Sequence, residues 1–136
     1  TNSSISNTTY AVYSEGDNDD IRVSNTTISN SIYGAYFDGA NSVVQILNTT
    51  FSDITDHVVY VEADISLLFA NNTISGTPPS ISFFEFEDDT TTILAGSTGN
   101  VNTTGSAVTC VRDASATIVD GDNLTVDGIA LSSICP

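Results

Sequence analysis

The chain has no lysine, no methionine and no tryptophan, and its basic residues are Arg22 and Arg112 alone. Against them stand 17 aspartates and glutamates, for a formal net charge of −15. With no basic patch to release counterions, nucleic acid and anionic membrane make poor partners. No apolar run approaches the roughly 18 residues of a membrane span, and no signal peptide is visible. The missing Met, at position 1 as elsewhere, is what a processed chain or an excised segment would show. A hydrophobic content of 40% separates the chain from disordered acidic tails, and 136 residues suit a single domain, 1–136.

What the chain does have is a repeat. Asn2-Ser3-Ser4-Ile5-Ser6-Asn7 returns as Asn25-Thr26-Thr27-Ile28-Ser29-Asn30. It returns again as Asn48-Thr49-Thr50-Phe51-Ser52-Asp53 and as Asn71-Asn72-Thr73-Ile74-Ser75-Gly76, at intervals of 23 residues. Tyr10 and Tyr33, Tyr13 and Tyr36, Gly16 and Gly39, and Ile21 and Val44 keep the same offset. Past Pro78-Pro79 the interval lengthens to 25, pairing Ile93 with Ile118 and Cys110 with Cys135. Anchors at Asn2, Asn25, Asn48, Asn71, Gly96 and Gly121 give about six units.

Each unit reads as short strands. Runs at 10–14, 33–38, 58–62 and 80–87 are aromatic and β-branched, and second runs follow at 21–23, 43–47, 65–70 and 90–95. Gly, Asn and Asp bound them as turn residues. No apolar stripe of helical period is sustained, so helix is disfavoured throughout, and no capping helix is expected at either end.

Coils of 23–25 residues holding two or three strands predict an all-β fold: a single-stranded, right-handed parallel β-helix of about six coils. Each residue then lies over its equivalent about 4.8 Å along the axis. A β-sandwich has strands at this density but needs no column register. Here the repeats resemble those of the pectate-lyase-like superfold, and the Asn-Thr-Thr-Phe-Ser-Asp type is similar to repeats of polymorphic outer-membrane-type adhesins. That resemblance implies a fold and leaves function open, since β-helices host unrelated activities.

Stacked coils with Cys110 and Cys135 one period apart would set their Cα atoms about 5 Å apart, within disulfide range. The expected role is a clip on the last coil; two buried thiols are the alternative. Asn-x-Ser/Thr occurs at Asn2, Asn7, Asn25, Asn48, Asn71, Asn102 and Asn123, seven sites where twelve Asn would give about three by chance. An oxidising, secreted or cell-surface location with N-linked glycans accounts for both features. The competing account for Asn2, Asn25, Asn48 and Asn71 is an internal amide ladder, which would not need the hydroxyl two residues on.

Chemistry is harder to find. Enzymes of the resembling superfold use a basic residue beside Ca²⁺-binding Asp, or two or three Asp about a scissile bond. Here Arg22 and Arg112 are far apart, and His57 reads as a turn residue without a partner. Asp88-Asp89 beside Glu87 reads as a solvated turn, and no nucleophile elbow is present. No catalytic residues and no metal site are therefore expected, and no cofactor. Ca²⁺ would find oxygen ligands only at Asp17-Asn18-Asp19-Asp20, Glu87-Asp88-Asp89 or Asp120-Gly121-Asp122, none of them at a known loop spacing. The Thr pairs fall in sequons and do not build the ladder that ice binding needs.

The expected function is structural: a secreted, N-glycosylated, acidic subunit of an extracellular filament or cell-surface appendage. It would form a homopolymer, joined head to tail through uncapped β-helix ends. A β-helical segment of a larger surface adhesin is the alternative, and a carbohydrate-active enzyme a second one.

Overall fold

A computed structural model describes residues 2–40, 42–75, 82–86, 91–93, 99–103, 109–112, 115–119 and 124–135. Its strands fall into three parallel sheets, and the chain visits each sheet once per coil. The first sheet is seeded by the repeat anchors: β1 (Ser3–Ser6), β4 (Thr26–Ser29), β7 (Thr50–Ser52), β10 (Thr73–Ser75), β13 (Gly99–Thr103) and β16 (Leu124–Val126). The second holds β2 (Tyr10–Ser14), β5 (Tyr33–Phe37), β8 (His57–Val61), β11 (Ser82–Phe86) and β14 (Thr109–Arg112). The third holds β3 (Asp20–Ser24), β6 (Ser42–Leu47), β9 (Ile65–Ala70), β12 (Thr91–Ile93) and β15 (Thr117–Val119). The chain is a parallel β-helix, or β-solenoid.

The repeat columns are the strand register. Ile5, Ile28, Phe51 and Ile74 lie opposite one another in turn, as do Val23, Ile46 and Phe69. Alternation along each strand sends these residues inward, where Ile28, Val44, Phe51, Leu67 and Phe69 are fully buried. Phe51 stacks on Phe69 at 6.2 Å, and Phe84 on Phe86 at 5.4 Å.

Corners need backbone turns that ordinary residues resist. Asn25, Asn48 and Asn71 precede the first-sheet strands with φ of 51°, 49° and 55°, and Asn7, Asn30 and Asp53 follow them at 59°, 50° and 52°. Asn and Asp tolerate this left-handed region because their short polar side chains bond locally. At the third corner Gly39 lies against Gly16: a Cβ on Gly39 would stand 2.0 Å from the Gly16 carbonyl oxygen.

Three expectations are corrected. Regular stacking covers about three coils, 3–24, 26–47 and 50–70, and not six; beyond them strands join the same sheets at uneven spacing, and among the described residues the last unit gives only β16 to the parallel stack. Ile93 faces Val119, one residue past the expected Ile118. The far end is also not bare. β17 (Ile129–Ala130) folds back antiparallel on β16, and a one-turn helix, α1 (Leu131–Ile134), buries Leu131 completely. Four residues are too few for a hydrophobic period to register.

Candidate functional site

The column Asn2, Asn25, Asn48, Asn71 faces solvent: all four residues are exposed. The hydroxyl residue two positions on is exposed at Ser4 and Thr27 and half-buried at Thr50 and Thr73. Asn2, Asn25, Thr27, Asn48 and Thr50 line a shallow open groove along the corner of the first sheet.

The internal ladder proposed for these asparagines exists one position later. Thr26, Thr49 and Asn72 are 7%, 0% and 1% exposed. The Thr26 and Thr49 hydroxyls donate to the Ser24 and Leu47 carbonyls at 3.0 and 3.1 Å. Asn72 Nδ2 donates to the Ile46 carbonyl at 2.9 Å, while its Oδ1 accepts the Thr49 N–H at 2.8 Å. Every buried polar group in this column thereby has a partner. Left-handed corners explain why Asn stands in the outer column, but not why a hydroxyl follows each one. Asn30 and Asp53 meet the same backbone demand without completing a sequon.

Asn7 is likewise exposed, its Nδ2 donating to Ser6 Oγ at 3.2 Å. Asn102 lies on β13 opposite Thr73, and Asn123 lies outside the described residues. Cys110 is on β14 opposite Phe84. Cys135 is 2% exposed and lies just after α1, outside the strands of the second sheet. No cysteine among the described residues is a free thiol.

Of the candidate Ca²⁺ ligands, Asp17 Oδ1 accepts the Ala40 N–H at 2.9 Å and Asp19 Oδ2 accepts the Ser14 hydroxyl at 2.8 Å. Asp17 thereby ties its corner to the next coil, while Asp19 braces the corner within its own coil. Among the described residues no three His, Cys, Asp or Glu side chains converge to hold a metal. Glu87-Asp88-Asp89 and Asp120-Gly121-Asp122 lie outside those residues.

An aromatic face is the feature that the sequence reading missed. All five tyrosines of the chain and its one histidine stand on the outside of the second sheet, in two columns: Tyr10, Tyr33, His57 and Tyr13, Tyr36, Tyr60. Tyr10 stacks on Tyr33 at 5.1 Å, Tyr33 on His57 at 5.7 Å and Tyr36 on Tyr60 at 4.8 Å. The columns touch edge to face, with Tyr33 and Tyr36 at 5.4 Å and 87°. Residues i and i+3 of a regular strand point to opposite faces. They share a face here because two consecutive residues between them, Gly34-Ala35 and Val58-Val59, both turn inward. Gly34 fits only without a side chain, since a Cβ would meet the Val58 carbonyl oxygen at 2.6 Å and the Phe51 ring at 2.7 Å.

Carboxylates rim the rings. The Tyr36 hydroxyl donates to Glu62, and Asp56 lies beside the Tyr33 phenol. His57, expected to be a turn residue without a partner, opens β8; its Nε2 contacts Glu85 and its Nδ1 lies 3.2 Å from Asp56 Oδ1. Burial, then the Asp56 hydrogen bond and charge, push the Tyr33 phenol up to about 12. The Tyr36 phenol is raised by burial and by Glu62, and that of Tyr13 by desolvation and then Glu15 and Asp38.

Comparison with protein-family models, curated proteins and solved structures gives no match to this chain. The likeness to pectate-lyase-type and adhesin repeats therefore rests on the β-helix alone. Among the described residues no helix is long and apolar enough to cross a membrane.

Proposed function

We propose that this β-solenoid is a secreted, N-glycosylated structural subunit of an extracellular filament or cell-surface appendage. The observation that carries the reading is the outward column Asn2, Asn25, Asn48, Asn71, each with a hydroxyl residue two positions on. Rungs about 4.8 Å apart crowd neighbouring glycans, so occupancy of every site in the column is not expected. Mass-spectrometric mapping of glycopeptides from native material tests this. Glycan on at least one of Asn25, Asn48 and Asn71 supports the reading, and a wholly unmodified column in secreted material overturns it.

Assembly rests on the rung formed by β1, β2 and β3. Ile5, Val12, Ile21 and Val23 on that rung are half-buried, whereas Ile28, Ala35, Val44 and Ile46, which face them on the next, are buried. A further rung stacked there would bury the first set and pair its strand edges. In the filament that rung belongs to the far end of another copy, where β14 and β15 end their sheets and β17 and α1 close the first. The second reading, a segment of a larger surface adhesin, is favoured by the same half-open rung: an upstream part of one polypeptide would cover it. Concentration-dependent self-association that Ser4→Pro abolishes supports the filament; a monomer at all concentrations supports the adhesin.

The burial of Cys135 supports its pairing with Cys110 in an oxidised protein, tying the α1 turn to β14. Closing a loop of this length contributes about 3 kcal/mol in the chain-entropy account. A Cys110–Cys135 peptide in a non-reducing digest is the expected result.

A further inference from the structure

His57 is the chain's one histidine, and it stands on the last of the three evenly stacked coils. Its ring lies flat on Tyr33 of the coil before, at 5.7 Å and 12°, and edge to face with Tyr60 at 5.2 Å. Both ring nitrogens meet carboxylate. Nε2 contacts Glu85 on β11, the second-sheet strand of the next coil, and Nδ1 lies 3.2 Å from Asp56 Oδ1 in the corner before β8. The side chain is 13% exposed, and Nδ1 is shut off from water without a formed hydrogen bond. Among the described residues the titratable groups facing this ring are thus Asp56 and Tyr60 from its own coil, Tyr33 on β5 and Glu85 on β11. Arg22 lies on β3 of another sheet, and Arg112 stands in the β14 register opposite Phe86.

A neutral imidazole carries one N–H. Whichever nitrogen holds it, the other turns a lone pair toward a carboxylate with no water between them. An imidazolium donates from both nitrogens, and its charge is also attracted by the tyrosine ring it lies on. We propose that His57 is a proton-dependent clasp between coils. Charged, it ties Asp56 to Glu85 and holds β11 against the third coil; neutral, it opposes one of the two carboxylates and loosens that joint. The joint matters because the strands from β11 onward, where spacing becomes uneven, are attached to the regular coils through it. None of this depends on glycans or on what docks at either end.

Imidazole is the one ordinary side chain that changes charge between about pH 5 and 8, and this chain has a single histidine. A group that folding stabilises in its protonated form contributes stability at low pH that is lost as pH rises. Urea denaturation at about pH 5.5 and about pH 8 should therefore give a folding equilibrium constant about fivefold larger at the lower pH. A histidine buried for packing alone is favoured neutral and gives the opposite sign. His57→Gln should remove the difference. Glu85→Gln keeps the ring and takes away the cross-coil charge, and should reduce the ratio below about twofold. A wild-type constant that is equal at the two pH values, or larger at the higher one, would overturn the proposal. So would a His57→Gln variant that keeps the full ratio. Should that variant fail to fold, the sign in the wild type and the ratio in Glu85→Gln still decide.

Discussion

Asn71 and Asn72 are adjacent, chemically identical and placed in opposite environments. Asn71 is exposed with a left-handed backbone, while Asn72 is 1% exposed and bonds two backbone groups of the preceding coil. A buried backbone group left without a partner costs about 1–3 kcal/mol. Asn72→Leu, similar in branching though bulkier, removes the partner of both the Thr49 N–H and the Ile46 carbonyl and should lower the unfolding free energy by about 2–4 kcal/mol. Asn71→Gly keeps the corner conformation and should change it by less than about 1 kcal/mol. Urea denaturation of the two variants checks the contrast, and equal effects would place the ladder wrongly. The first-sheet corner thus separates two tasks one residue apart: Asn72 satisfies the interior, and the Asn71 side chain is left to solvent.

At the scale of elements, the second sheet carries a hydroxyl–carboxylate network on its outer face. A tyrosine whose folded pKa lies above its unfolded value of 10 stabilises the fold below pH 10, and that contribution is lost as pH climbs through the folded value. Tyr33, pushed up to about 12 by burial and then by Asp56, sets the window from pH 10 to about 12. Tyrosinate absorbance of the folded protein should therefore keep rising beyond pH 10 and should revert to ordinary titration in denaturant. Glu62→Gln removes the charge beside Tyr36 and should move part of that late rise to lower pH. Complete ionisation near pH 10 in the folded state would show that the network is not formed.

Elements also show what was legible in the chain. Self-alignment gave the columns of the first coils because a solenoid sets each residue over its own equivalent, so Tyr10–Tyr33 and Val23–Ile46–Phe69 could be read directly. Strand ends agreed to within a residue or so at β2, β5, β8 and β9. After β10 the spacing is uneven, and self-alignment set Ile93 one residue off. A slip of that size reverses the face of every side chain in a strand. The tyrosine columns were each visible, but not that they share one face: that depends on the paired inward residues at Gly34-Ala35, against ordinary alternation. Asn was readable as a glycan acceptor or as a ladder, and only the burial of Thr26, Thr49 and Asn72 shows which column turns inward.

Across the described residues the strands stack along one axis, and the first and last rungs differ. One rung leaves Ile5, Val12, Ile21 and Val23 half-buried, and the other end is folded over by β17 and α1. In the proposed assembly the contact is head to tail, and such a contact propagates as a filament when its rotation does not close a ring. In the proposed filament a net charge of −15 per subunit would oppose side-by-side contact, so added salt should favour lateral bundling without being needed for end-to-end growth. Negative-stain electron microscopy of native, unreduced material over a range of concentrations tests the structural role most directly. The account predicts filaments with an axial subunit repeat of about 24–29 Å, five to six rungs at about 4.8 Å each. Isolated short rods at every concentration would contradict it.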